Sequence, residues 1–291
     1  MNAQLLIWSV IGAIAAMDAI LLPAQGMTIA SRWPAFGLVV LMCGLSVLIH
    51  RRNPAAARFA GAVAQIWALS DAGAILSYTA MAATPFAMMD ASLARWDAAL
   101  GFDWMAWYTW VHAHPPVHAL LAYVYASAPV QVVLLILYFC HADRRRVDEL
   151  LLAGLLPIVI ITPVMMLLPA VGAWSQHGVG IEPWRADILA LRDHALPVIG
   201  RTQGIISFPS YHTVLGVVLA YAARGRKWFI PSLVLNLLLI AAVMTEGAHY
   251  GVDLLSGLAV AFVSIAATRW LLARTARARA FDLLPALPAR L

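Results

Sequence analysis

The sequence predicts an all-α, polytopic membrane bundle of about eight transmembrane helices, and three observations predict it. Hydrophobic residues make up 63% of the 291 residues and charged residues only 11%, against about 25% charged in a soluble domain. Mean hydropathy is +0.83. The apolar residues gather in segments of roughly the 20 residues that a helix needs to cross the hydrocarbon. One multi-span bundle accounts for this length better than several domains.

The predicted spans lie near 3–23, 35–50, 59–83, 117–140, 148–171, 209–223, 228–245 and 249–272. The first has no basic stretch before its apolar run and contains Asp18, so it reads as a retained span rather than a cleaved leader. Residues 84–116 mix Trp96, Trp104, Trp107, Tyr108 and Trp110 with Asp90, Arg95, Asp97 and Asp103. That density of aromatics suits helices lying in the headgroup zone. Residues 172–208 form the longest polar loop, broken by Gly172, Gly178, Gly180 and Pro183, with a short helix expected over 183–195. The stretch 273–291 is basic, then Pro-rich, and reads as a tail. Cys43 and Cys140 fall inside or at the end of spans and read as packing residues rather than a disulfide.

The net charge of +5 and the pI of about 9.6 are compatible with nucleic-acid binding until the distribution is read. Arg51, Arg52 and Arg58 follow the second span, Arg144, Arg145 and Arg146 the fourth, and Arg224, Arg226 and Lys227 the sixth. Arg269, Arg274, Arg277, Arg279 and Arg290 lie at or beyond the last, so 14 of the 19 basic residues fall on one side. The positive-inside rule makes that side cytoplasmic, with both termini there, and the basic clusters are topology signals. Of the five arginines left outside, Arg185, Arg192 and Arg201 share one loop. Their position runs against the orientation rule and asks for another reason.

Two motifs carry the chemistry: Phe208-Pro209-Ser210-Tyr211-His212 and His249-Tyr250-Gly251-Val252-Asp253. Proline at a first helical position leaves a turn of free N–H groups, an anion site to which Ser210 adds a hydroxyl. His212 then lies within proton-transfer reach of a phosphate ester. His249 and Asp253, four residues apart, share one helical face. The carboxylate can fix the imidazole tautomer and leave the other nitrogen as nucleophile or base. A structural His–Asp pair is the competing reading. No Cys-rich or His-x-x-x-His pattern accompanies this pair to support a metal reading of it. In the eight-span topology both histidines start inward-going helices and lie at the outer face.

Pro-Ser-x-His followed by His-x-x-x-Asp resembles the type-2 phosphatidic acid phosphatase superfamily, closely over 201–257 and more loosely over 59–272. The resemblance implies a six-helix lipid-phosphatase-like core at 59–272, preceded by two N-terminal helices in 1–58 and followed by a cytoplasmic tail at 273–291. It implies that His249 forms a phosphohistidine, that Asp253 orients it, and that His212 protonates the leaving group. It also implies that Ser210, Tyr211, Arg185, Arg192 and Arg201 surround the phosphate, with neither metal nor cofactor required. The expected activity is that of an integral membrane lipid phosphatase or phosphotransferase. Its substrate would be a lipid phosphate, pyrophosphate or phospholipid head group, with water or a hydroxyl acceptor completing the reaction. The expected location is a bacterial inner membrane with a periplasmic site, and no nucleic-acid partner. A non-catalytic lipid-binding or transport protein of the same fold is the alternative.

Two departures refine the resemblance. The third motif of the superfamily carries an arginine six residues before the nucleophile, where this chain has Val243. In the first motif, Arg185 and Arg192 keep the spacing while arginine replaces lysine and Asp193 replaces proline. Both changes, with Leu100-Gly101-Phe102-Asp103, are similar to the inositol phosphorylceramide synthase branch. Glu246, three residues before His249, is suited either to pair with an arginine or to contact an acceptor hydroxyl.

Overall fold

In the computed structural model, which describes residues 3–30, 33–200 and 202–282, each predicted span carries a helix. The N-terminal group is α1 (Ala3–Ala24), α2 (Trp33–Ile49) and α3 (Pro54–Ala83). Asn53 accepts a hydrogen bond from the Ala56 N–H at 3.0 Å and Pro54 opens α3, a start that satisfies one orphan donor and needs no other. The aromatic stretch becomes α4 (Asp90–Ala99) and α5 (Trp104–Ala113), the latter capped by Asp103 on the Ala106 N–H. Then follow α6 (Pro115–Ala126), α7 (Ala128–Ala142), α8 (Arg144–Leu167), the short α9 (Ala173–His177) and α10 (Arg185–Arg192). The bundle closes with α11 (Tyr211–Ala222), α12 (Phe229–Glu246) and α13 (Gly251–Asp282).

The count of eight full spans is not reproduced. Among the described residues five helices are long and apolar enough to cross a membrane: α1, α3, α8, α12 and α13 up to Ala276. A sixth arises if α6 and α7, bent by 46°, form one broken span. The break lies beside Pro129, which lacks an N–H and whose ring opposes the carbonyl one turn back. The predicted spans at 35–50 and 209–223 are the shorter apolar helices α2 and α11. At the other extreme α13 runs past 272 to Asp282, so the start of the predicted tail is helical, while 283–291 lie outside the described residues.

The core fills the space between α1, α3, α7, α8, α11 and α13, with Ile11, Leu76, Phe139, Leu152, Val214 and Val260 buried together. The N-terminal group is tied to it at both ends. Gln65 Nε2 bonds Gln4 Oε1 at 2.7 Å and Gln4 Nε2 bonds Asp148 at 2.6 Å. At the far end β1 (Thr28–Ile29) pairs in parallel with β2 (Val198–Ile199), a link no local pattern announced.

Two of the basic clusters meet at one end. Arg224 grips both oxygens of Glu149 at 2.6 and 2.7 Å, and Arg226 reaches Asp143 at 3.1 Å. Arg146 donates to the carbonyls of Ala222 and Arg224, satisfying the chain end of α11. The two histidine motifs lie at the opposite end of α11 and α13.

Those two helices approach closely at Gly257. A Cβ there would stand 2.7 Å from the Ser210 carbonyl oxygen and 2.8 Å from Thr213 Cβ. Gly257→Ala is therefore expected to destabilise the protein by about 1–3 kcal/mol, the usual scale of overpacking, read as a lower melting temperature in detergent.

Candidate active site

His249 sits in the turn between α12 and α13, on a backbone held from several sides. Its amide is 3.4 Å from the Val243 carbonyl, and Trp104 Nε1 donates to the His249 carbonyl at 2.9 Å. The preceding Ala248 has φ 55°, a left-handed conformation that L-residues reach at a cost of roughly 1–2 kcal/mol. The Ala173 N–H bonds the Ala248 carbonyl at 2.7 Å and holds that turn. Phe102 packs on Gly251, where a Cβ would lie 2.8 Å from its ring. The Leu100-Gly101-Phe102-Asp103 segment thus lies directly against the histidine turn.

His249 Nδ1 lies 3.0 Å from Asp253 Oδ2, and both side chains are buried. The same carboxylate oxygen accepts the Tyr250 N–H at 2.9 Å and faces the Ser207 hydroxyl at 3.5 Å. A carboxylate so held orients the ring through Nδ1, so any chemistry at this ring would fall to Nε2.

His212 enters from α11 with its ring centroid 6.3 Å from that of His249. The motif differs in detail from expectation. Pro209 lies outside the helix, after a cis Phe208–Pro209 bond, and Ser210 is the N-cap, accepting from the Thr213 N–H at 3.2 Å. His212 is consequently the second helical residue. The N–H groups of Tyr211 and His212 carry no hydrogen bond among the described residues, which leaves an open anion site at this helix start.

The start of α13 is closed instead. Asp97 accepts from the N–H groups of Gly251 at 2.8 Å and Val252 at 2.7 Å. Burial pushes the Asp97 carboxyl up from its ordinary value, and those two bonds pull it back. His177, stacked on Trp104 at 4.7 Å, is pushed down by burial while the charges of Asp97 and Asp103 oppose the shift. Asp97→Ala is expected to cost about 2 kcal/mol, since bonds to a charged acceptor contribute roughly 1.5–3 kcal/mol; thermal melting with and without the substitution checks this.

The remaining expected phosphate ligands behave differently. Arg192 gives its guanidinium to the carbonyls of Thr84 and Phe86, bracing α10 against the loop after α3. The Tyr211 hydroxyl bonds the Gly154 carbonyl of α8 at 2.9 Å. Arg185 opens α10, and no hydrogen bond or ion pair joins it to either histidine among the described residues. Arg201 lies outside the described residues. Val243, standing where the resemblance expects an arginine, is fully buried against Val124, Ala128 and Leu239.

Several contributors went unread in the sequence. The Tyr125 hydroxyl is 3.4 Å from His212 Nδ1 with the rings 4.7 Å apart, and Trp104, Ser207 and Asp97 shape the turn. Only Asp97 and Trp104 carried a local signal, as a carboxylate and an aromatic within the headgroup-zone segment. Among the described residues no group of three or more His, Cys, Asp or Glu side chains is arranged to hold a metal.

A family model described as PAP2 superfamily matches residues 91–267, a stretch that contains both histidines, Asp253 and Asp97. No curated protein and no solved structure matches the chain.

Proposed function

Because the chain belongs to the PAP2 superfamily, we propose that it is a membrane-embedded phosphatase or phosphotransferase working through a phosphohistidine at His249. Its substrate is a lipid phosphate, lipid pyrophosphate or phospholipid head group. The observation that carries this reading is the buried His249–Asp253 pair, 3.0 Å apart, facing a second histidine 6.3 Å away between ring centroids.

Nε2 of His249 attacks phosphorus, and the bond to the departing oxygen breaks. His212 delivers a proton to that oxygen, a contribution of about 10²–10⁴ in rate for a positioned acid. Asp253 keeps the His249 tautomer and stabilises the charge that the ring acquires. The open N–H groups of Tyr211 and His212, with the Ser210 hydroxyl, receive the phosphoryl oxygens. Arg201 and Arg185 supply the positive charge that a dianion in a partly dry site requires. Arg192 contributes mainly by fixing α10.

The active site faces the periplasm, with both termini and the Arg146–Arg224 end in the cytoplasm. The core at 59–272 does the chemistry, and the N-terminal helices brace it. The apolar surroundings of Val243 support the inositol phosphorylceramide synthase-like branch, and with it transfer to a second alcohol. Purified protein offered phosphatidic acid, lipid pyrophosphates and glycerophospholipids, with inositol and ceramide present, tests both levels. Released phosphate or a new phospholipid is expected. Phosphate without any transfer product overturns the transferase branch, and neither product overturns the enzyme reading.

A further inference from the structure

A cavity of about 370 Å³ opens between the end of α3, α10 and the segment that leads from β2 towards α11. That volume falls within the range of ligand pockets, roughly 300–1,000 Å³. Tyr78, Asp187 and Gln203 are its polar lining, and Pro183, Leu196 and Val198 its apolar walls. None of these residues has a role in the reaction proposed above.

The three polar side chains converge on one carboxylate oxygen. The Tyr78 hydroxyl donates to Asp187 Oδ2 at 2.6 Å, and Gln203 Nε2 donates to the same oxygen at 3.4 Å. Asp187 lies in the first turn of α10, where a carboxylate ordinarily serves its own helix dipole. Here it reaches instead to residues 109 and 16 positions away in sequence. Tyr78 is fully buried, so the anchor is rigid. Two donors on Oδ2 fix the carboxylate, while Oδ1 accepts no hydrogen bond among the described residues. With Nε2 directed at Asp187, Gln203 Oε1 is left as a second acceptor.

These open side-chain positions accept hydrogen bonds and carry one negative charge, so they call for a positive donor. Two oxygens fall short of the six or more that a hard metal cation takes. A guanidinium binds best to both oxygens of a carboxylate in parallel, and Oδ2 is already taken by Tyr78 and Gln203. A quaternary ammonium has no N–H to give and favours an aromatic cage, for which the lining supplies one ring. A primary ammonium, a compact charge with three donors, fits what remains.

We propose that this cavity is a binding site for a primary ammonium group. Asp187 Oδ1 holds the charge, Gln203 Oε1 takes a second N–H, and Pro183, Leu196 and Val198 cover the carbon chain that carries the nitrogen. The carrier is an aminated lipid head group or a free amine, and the recognition of nitrogen is the same in both. Gln203 is four residues before Ser207, at most about 14 Å of extended chain. The Ser207 hydroxyl faces Asp253 at 3.5 Å, so an occupant of the cavity holds the segment that leads to the His249–Asp253 pair.

The readout of the test is preference for a primary over a quaternary ammonium. Full-length protein in detergent is melted against rising ethanolamine or choline at constant ionic strength. The same is done with dihexanoyl phosphatidylethanolamine and its choline counterpart, below their micelle concentrations. The ethanolamine forms are expected to raise the melting temperature saturably, as a ligand of the folded state does, and the choline forms to act about tenfold more weakly. A response to the ethanolamine lipid at least tenfold tighter than to ethanolamine identifies a head group as the occupant, and a smaller difference identifies a free amine. Asp187→Asn should remove the preference, the roughly tenfold scale of replacing a charged acceptor by a neutral one. Val198→Trp leaves Asp187 intact and fills the cavity from a strand position that is 49% exposed and suits an aromatic. It should remove the preference as well, which keeps the test valid if Asp187→Asn weakens the fold. Equal responses to ethanolamine and choline in both forms, or a full preference in a folded Asp187→Asn or Val198→Trp protein, overturns the proposal.

Discussion

His249→Ala protein is expected to form no phosphohistidine and to lose about 10⁴-fold or more in turnover, because removing a covalent nucleophile removes the two-step route altogether. The measurement pairs labelled-phosphate trapping with product release from a lipid phosphate. The ring is packed in a turn already held by Trp104 and Ala173, so the truncated protein should still fold and melt cooperatively. An unchanged function in this variant would favour the non-catalytic lipid-binding alternative.

The second large effect is expected at Asp253. Asp253→Asn keeps the shape of the side chain but presents an amide where His249 Nδ1 and the Tyr250 N–H now meet one carboxylate oxygen. Stabilisation of the imidazolium is lost and the wrong tautomer is favoured, a change worth about 10⁴ in turnover where a carboxylate orients a catalytic histidine. Substrate affinity should move far less than turnover, because Asp253 is fully buried and bonded to His249 and the Tyr250 N–H. A variant that lost affinity and turnover together would point to collapse of the turn, which a melting curve would reveal independently.

How much of this was legible beforehand follows from the range of each interaction. Hydropathy sums over a local window, so the long apolar helices were visible. It does not measure helix length after caps and prolines act, and α11 lost its first residues to the cap at Ser210. The pair His249 and Asp253 was legible because a four-residue spacing is itself a geometric statement. The bonds from Arg192 to the Thr84 and Phe86 carbonyls were not legible, because those partners are more than a hundred residues away. Asp97 and Gly251 are 154 residues apart, and Tyr125 and His212 are 87 apart. Such contacts belong to the packed bundle and have no signature in any short stretch.

The shortness of α11 has a consequence for where the reaction takes place. Twelve residues rise only about 18 Å, against a hydrocarbon layer about 30 Å thick. With the Arg146–Arg224 end resting at the inner headgroups, as proposed, the His212 end stands about 12 Å short of the opposite boundary by the rise of α11. By the 18 residues of α12, which ends beside His249, the shortfall is about 3 Å. The chemistry then happens at the floor of a well sunk into the leaflet. A substrate must dip its head below its neighbours to arrive, and the depth of that descent grows with the thickness of the host bilayer. Turnover should accordingly fall from thin to thick lipid vesicles, making membrane thickness a control on catalysis alongside the catalytic groups.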